Sequence, residues 1–149
     1  MDFVPDTLFD GRRLRLLTVI DLYARECLDI FVGQSLRSTE VAEILNNIAL
    51  KRPLPQLLKT DNGSEFAGKM LERLVYDRGI RIDFSRPGIL TDNDTVESFN
   101  GRLRQECLNE NWFMSLEVAR FKIEAYEIDI FYLTFFAWYK VIQMISPHQ

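Results

Sequence analysis

Thr60-Asp61-Asn62-Gly63-Ser64-Glu65-Phe66 and Val96-Glu97-Ser98-Phe99-Asn100-Gly101-Arg102 are the two stretches from which the fold can be read. Leu57-Leu58-Lys59 precedes the first and a helix-like run follows it, so Asp61 is expected at the C-terminal end of a strand. That edge is where ligands of α/β sheets gather. Asn62-Gly63 tolerates positive φ and turns the chain there, aiming Asp61 into open space from a stiff element. Glu97 follows Asp61 after 35 intervening residues. Val96, Phe99, Leu103 and Cys107 recur at spacings of 3, 4 and 4, which predicts a helix with one buried stripe. Glu97 lies off that stripe, on a face shared with Gly101 and Arg104. A strand-end Asp facing a helix-borne Glu offers hard carboxylate oxygens, which suit Mg²⁺ and Mn²⁺.

Taken singly, an Asp-Asn-Gly is usually a turn and a Glu on a helix is usually solvated. With their flanking residues they say more. Thr60 to Phe66, Pro87-Gly88 and the run from Thr91 to Asn109 together resemble the integrase catalytic core of the DDE transposases, retroviral-integrase-like enzymes of bacterial insertion sequences, in particular their second-reading-frame type. The resemblance runs from about Asp2 to Ile128. It implies a ribonuclease-H-like α/β fold, a mixed sheet flanked by helices. It also implies Asp2, Asp61 and Glu97 as the catalytic and metal-binding carboxylates, and two Mg²⁺ or Mn²⁺ ions once DNA is bound. The implied chemistry is metal-dependent phosphodiester cleavage and strand transfer, for DNA transposition and integration. The implied partners are the DNA of the element ends and of the target, and a second copy or an intact transposase. Asn62, Asn93, Asn100, Arg102 and Arg104 are the expected DNA contacts, with Arg104 meeting a backbone phosphate.

Composition bounds this reading. A chain of 149 residues, 47% hydrophobic and 27% charged, is one ordinary globular domain. Cys27 and Cys107 form no Cys-x-x-Cys pair and no secretory leader is evident, which suits a reducing, cytoplasmic setting with both thiols as small core residues. The net charge of −4 runs against the basic surplus usual in DNA-binding domains. A site that concentrates carboxylates for cations accounts for part of it.

In chain order, Asp2-Phe3-Val4-Pro5-Asp6 is expected as a first strand and Asp10-Gly11 as a hairpin turn. Leu14 to Ile20 and Cys27 to Val32 then read as an antiparallel pair. Asp21, at the end of the first of these, is a rival metal ligand, although an Asp that bonds turn amides is commoner. Ser38 is expected to cap a helix reaching Arg52, which returns the chain to the strand before Asp61. The next helix buries Phe66, Met70, Leu71, Leu74 and Val75 and stops at Gly79. Ile80 to Phe84 alternates as a strand, a turn-rich connection spans Pro87 to Thr95, and after Asn109 a helix packs Leu116, Ala119, Phe121, Ile123, Ala125 and Tyr126. The expected order is β-β-β-α-β-α-β-α-α.

Two departures from the family pattern shape the expected organisation. A Trp and a few residues ordinarily precede the first Asp, so the first strand is expected to be clipped. Beyond residue 128 the pattern gives way to an uncharged run of ten residues between Asp129 and Lys140, too short for a bilayer, which takes about 20. Residues 1–128 are thus expected to form the integrase core, and 129–149 an aberrant tail, read as a reading-frame slip. These departures keep two other readings open: a catalytically inactive transposase remnant that binds DNA or an intact transposase, and a stand-alone nuclease.

Overall fold

The computed structural model describes residues 1–60, 66, 68–84 and 93–145, without the side chains of 93, 134–139, 141, 142 and 145. Strands β1 (Asp2–Thr7), β2 (Arg13–Asp21) and β3 (Glu26–Gly33) form an antiparallel meander. Helix α1 (Ser38–Ala49) leads to β4 (Leu57–Thr60), α2 (Lys69–Asp77) and β5 (Arg81–Phe84), and β4 and β5 pair in parallel. Helix α3 (Asn93–Leu103) passes into a π-helical turn (Arg104–Leu108), and α4 (Leu116–Ile145) follows. The element order is the one expected, with the π turn added. The two sheets meet where the Met1 ammonium donates to the Lys59 carbonyl at 2.8 Å.

Alternation along the meander separates two cores. Leu17 and Val19 face one side with Val41, Ile44, Leu45 and Ile48 of α1 and Leu71 and Val75 of α2. Val4, Leu14, Leu16, Ile30 and Val32 face the other with Leu103, Cys107, Leu108, Ala119 and Ile123. Helices therefore cover both faces of the sheet, the layering a strand with period-two apolar residues on both sides demands.

Helix boundaries differ from expectation in instructive ways. Arg37, not Ser38, is the N-cap of α1, and the Glu40 carboxylate accepts from the Arg37 N–H at 2.8 Å. Ser38 instead packs against Gly68, where a Cβ would collide with its hydroxyl, so the N-terminal ends of α1 and α2 approach closely only because residue 68 is glycine. Helix α1 ends at Ala49, ahead of Pro53. Gly79 ends α2 at φ +68°, as expected for a C-terminal glycine. Met70 and Phe121, expected in the core, are exposed. The buried stripe of α2 runs through Leu71 and Val75 and that of α4 through Ala119 and Ile123; Met70 is one residue off its stripe, and Phe121, two residues from each of its neighbours, faces the opposite side. Ala125 is exposed as well.

Helix α4 crosses β3. The Arg120 guanidinium donates to the Val32 carbonyl at 3.2 Å, and β3, α1 and α4 line a groove of about 1110 Å³ that includes Asp29, Lys51, Glu124 and Glu127. Burial, then Asp29, lifts Glu127 to about 7, with Glu124 adding and the Ile30 N–H and Lys51 opposing. Burial likewise pushes Cys27 up to about 12 and raises Cys107, so both thiols are poor nucleophiles, as core cysteines should be. Because Glu127 ordinarily titrates at 4.5, the unfolded chain loses this proton before the folded chain does. Stability should therefore fall as pH rises from about 4.5 through 7. Thermal melts across that window should show the slope, and Glu127→Gln should flatten it and raise the melting temperature at pH 8.

Candidate active site

Strand β1 holds the site because it is tied on every side. Asp2 and Val4 point to the same face of β1, by the period of two, and Val4 lies in the core under α3 and α4. Asp2 is thereby turned toward α3. Its Oδ2 accepts from Asn100 Nδ2 at 2.8 Å, and its Oδ1 accepts from the Phe3 N–H at 2.9 Å. Asn100 Oδ1 in turn accepts from the Thr18 hydroxyl at 3.0 Å. Four residues further on, Arg104 donates from Nη2 to the Pro5 carbonyl at 2.6 Å. Helix α3 and its π turn thus grip β1 at two points about 6 Å apart along the helix axis.

Glu97 stands one helical turn before Asn100, on the same side of α3, and is exposed. A rise of about 4.5 Å along the axis separates the two residues. Asn100, on the Glu97 side of α3, is the residue that bonds Asp2.

Asp61 and Asn62 lie outside the described residues, but the chain on both sides of them is anchored beside β1. Thr60, the last residue of β4, is 2% exposed and its hydroxyl has no hydrogen-bond partner among the described residues. Lys59 accepts from Met1. Phe66 is fully buried, and its ring lies 5.1 Å from that of Phe3. The Arg15 guanidinium covers the Phe3 ring at 4.3 Å.

The remaining sequence candidates fall out unevenly. Asp21 accepts from the Tyr23 and Ala24 amides at 2.9 and 3.1 Å, the turn-forming role of an Asp at a strand end. Asn100 is bonded inside the protein, to Asp2 and Thr18. Arg104 donates to the β1 backbone at Pro5. Arg102 is exposed and sits 3.4 Å from Glu106, whose carboxyl is held below its ordinary value first by the Tyr126 hydroxyl and then by Arg102. Asn93 opens α3, and its side chain is not among those described. Sequence reasoning missed Thr18. The available signal was a polar residue inside the apolar run from Leu14 to Ile20.

The fold is ribonuclease-H-like, the class to which retroviral integrase cores belong. The catalytic core of bovine immunodeficiency virus integrase superposes with a TM-score of 0.59 at 14% identity, covering 82% of this chain and 78% of that one. A simian T-cell lymphotropic virus intasome superposes with a TM-score of 0.61 at 18% identity, over 82% of this chain and 46% of that one. The integrase core domain model matches residues 1–89, and a second integrase core model matches residues 78–129. The chain belongs to the integrase core domain family. A 31.7 kDa protein of insertion element IS407 from Burkholderia multivorans is 40% identical over 129 residues, 87% of this chain and 47% of that protein. The transposase InsF of insertion sequence IS3A from Escherichia coli is 29% identical over 110 residues, 72% of this chain and 38% of that protein. The chain thus spans about half the length of the first of these relatives or less.

Both contacts from α3 to β1 should matter for stability without any ligand. Asn100→Ala strips a donor from Asp2 and an acceptor from buried Thr18, and should lower unfolding free energy by about 1–3 kcal/mol. Arg104→Ala should lower it by about 1 kcal/mol. Urea denaturation measures both, and unchanged midpoints would mean that α3 does not hold β1.

Proposed function

We propose that this chain is the catalytic core of a DDE transposase, cleaving and joining DNA phosphodiesters in transposition with Asp2, Asp61 and Glu97 as its metal-binding carboxylates. The observation that carries the proposal is the Asp2–Asn100 hydrogen bond, which locks the first carboxylate to the helix that bears the third. The anchoring of Lys59 and Phe66 beside β1 supports the second carboxylate, Asp61, on the same surface. Family membership and the transposase among the relatives give the reaction class.

The donor chemistry fits a hard divalent cation. Asp2 and Glu97 supply carboxylate oxygens from two rigid elements, with no thiolate or imidazole beside them among the described residues, which suits Mg²⁺ or Mn²⁺ over softer metals. When bound, a pair of such ions supplies an activated attacking oxygen and neutralises charge on the leaving oxygen. The protein's own contribution is placement. Asn100 fixes the Asp2 carboxylate, β1 is stapled by Arg104, and exposed Glu97 is presented on the first two turns of α3. With water as attacker the strand is nicked; with a 3′-hydroxyl it is joined to new DNA.

Arg102 is the basic side chain best placed to turn to a phosphate, since an exposed i,i+4 pair with Glu106 is worth only about 0.3–0.5 kcal/mol. Asn62 and Asn93 are proposed as further DNA contacts beside Asp61 and at the start of α3. The DNA partners are the element ends and a target, and assembly with a second copy or an intact transposase follows the intasome to which the fold is similar. Residues 1–128 are proposed as the core. Among the described residues no helix is long and apolar enough to cross a membrane.

Nicking of supercoiled plasmid in Mg²⁺ or Mn²⁺ tests the reading. Asp2→Asn, Asp61→Asn and Glu97→Gln should each reduce cleavage to background, with the Glu97→Gln melting temperature unchanged because Glu97 is exposed. Cleavage by all three at the rate of the unaltered chain would refute the mechanism.

A further inference from the structure

Thr18 is the buried polar residue of β2. It is fully buried among Leu14, Leu16, Leu17 and Val19, where packing alone calls for valine. The antiparallel register pairs its Cα with that of Asp2, and the period of two places it on the face that carries Leu14 and Leu16, under α3. Its hydroxyl lies 3.0 Å from Asn100 Oδ1 and 3.3 Å from the Asp2 carbonyl.

The chemistry of the four groups gives this arrangement one direction. An ionised carboxylate only accepts, so the amide nitrogen of Asn100 must face Asp2. The amide oxygen then faces Thr18, whose single hydroxyl proton is the donor that an oxygen there needs. Reversing the amide would set its oxygen 2.8 Å from the carboxylate, acceptor against acceptor. A valine at position 18 would fill the same space and leave the amide oxygen facing a methyl group, so that only the carboxylate side would still hold the amide in this orientation.

We propose that Thr18 is a positioning residue for the cation site: its hydroxyl orients the Asn100 amide, and the amide fixes the rotamer and plane of the Asp2 carboxylate. This rests on the reading of Asp2 as a metal ligand given above. Groups that orient a ligand in this way change metal affinity by about 10–100-fold when removed.

The test is Mn²⁺ titration by calorimetry of the whole chain without DNA, for the unaltered protein, Thr18→Val, Thr18→Ser and Asp2→Asn. Thr18→Val should bind Mn²⁺ about 10-fold or more weakly, while Thr18→Ser, which keeps the hydroxyl, should stay within about 3-fold. Asp2→Asn should lose binding. Thr18→Val binding as tightly as the unaltered chain, with Asp2→Asn still defective, would overturn the role of Thr18 and leave the proposed function standing. Equal binding by the unaltered chain and Asp2→Asn would remove the metal site itself, and the role of Thr18 with it. Nuclear magnetic resonance of the unaltered chain gives an answer even where Thr18→Val does not fold. The Asn100 amide protons and the Thr18 hydroxyl proton should exchange with solvent slowly, and rapid exchange of both would overturn the proposal.

Discussion

Everything at the candidate site depends on the register between β1 and β2. Asp2 pairs with Thr18 and Val4 with Leu16, so carboxylate, hydroxyl and apolar side chains fall on one face in the order α3 needs. A slip of one residue would exchange the faces of β1 and send Asp2 toward Leu17, Val19 and the α1 core. An unpaired carboxylate buried there would be strongly unfavourable or would stay protonated. Folding and site assembly are therefore one constraint: the strand facing that buries Val4 also turns Asp2 toward Asn100.

That dependence explains why so short a strand is tied so many times. All six residues of β1 pair in register with β2 along one edge, and Met1 reaches Lys59 on the other side. Arg104 and Asn100 hold β1 from the helix layer, and Phe3 stacks into the opposite core against Phe66. The π turn contributes as well. Asn109 N–H reaches back five residues to the Arg104 carbonyl at 2.8 Å, and the additional residue in that turn lets adjacent Cys107 and Leu108 both be buried, at 2% and 4% exposure. Helix α3 can thus keep Asn100 and Arg104 on β1 while its end stays seated in the core.

Much of this was legible in the sequence because periodicity reports burial. The alternation of β2, the stripe ending in Leu103 and Cys107, and the glycine that stops α2 gave the element order and the two-sided layering. What periodicity cannot report is which polar side chain turns inward. Asn100 and Arg104 are expected from the resemblance as DNA contacts, and in the fold they also donate to a strand whose carbonyls and carboxylate need donors. Thr18 looked like one more β-branched residue in a strand. Met70 and Phe121 were misplaced for the converse reason, since a hydrophobic residue one or two positions off a stripe is carried to the surface whatever its transfer free energy. The acidic balance was also only partly traced to the site. Asp29, Glu124 and Glu127 gather at the groove between β3 and α4, where burial raises both Asp29 and Glu127.

The groups that build the site and the groups that would do its chemistry are physically separable. Asn100, Arg104 and Thr18 make their contacts within the protein itself, the kind of support that would preorganise Asp2 in its proposed role. Glu97, by contrast, is exposed, and nothing in the cores depends on its being an acid. An exchange at position 97 can leave the fold intact, whereas an exchange at position 18 or 100 removes contacts that hold β1 to α3. Glu97 places a carboxylate where folding asks only for a helix former, while the buried polar chain of Thr18, Asn100 and Asp2 ties β2, α3 and β1 together.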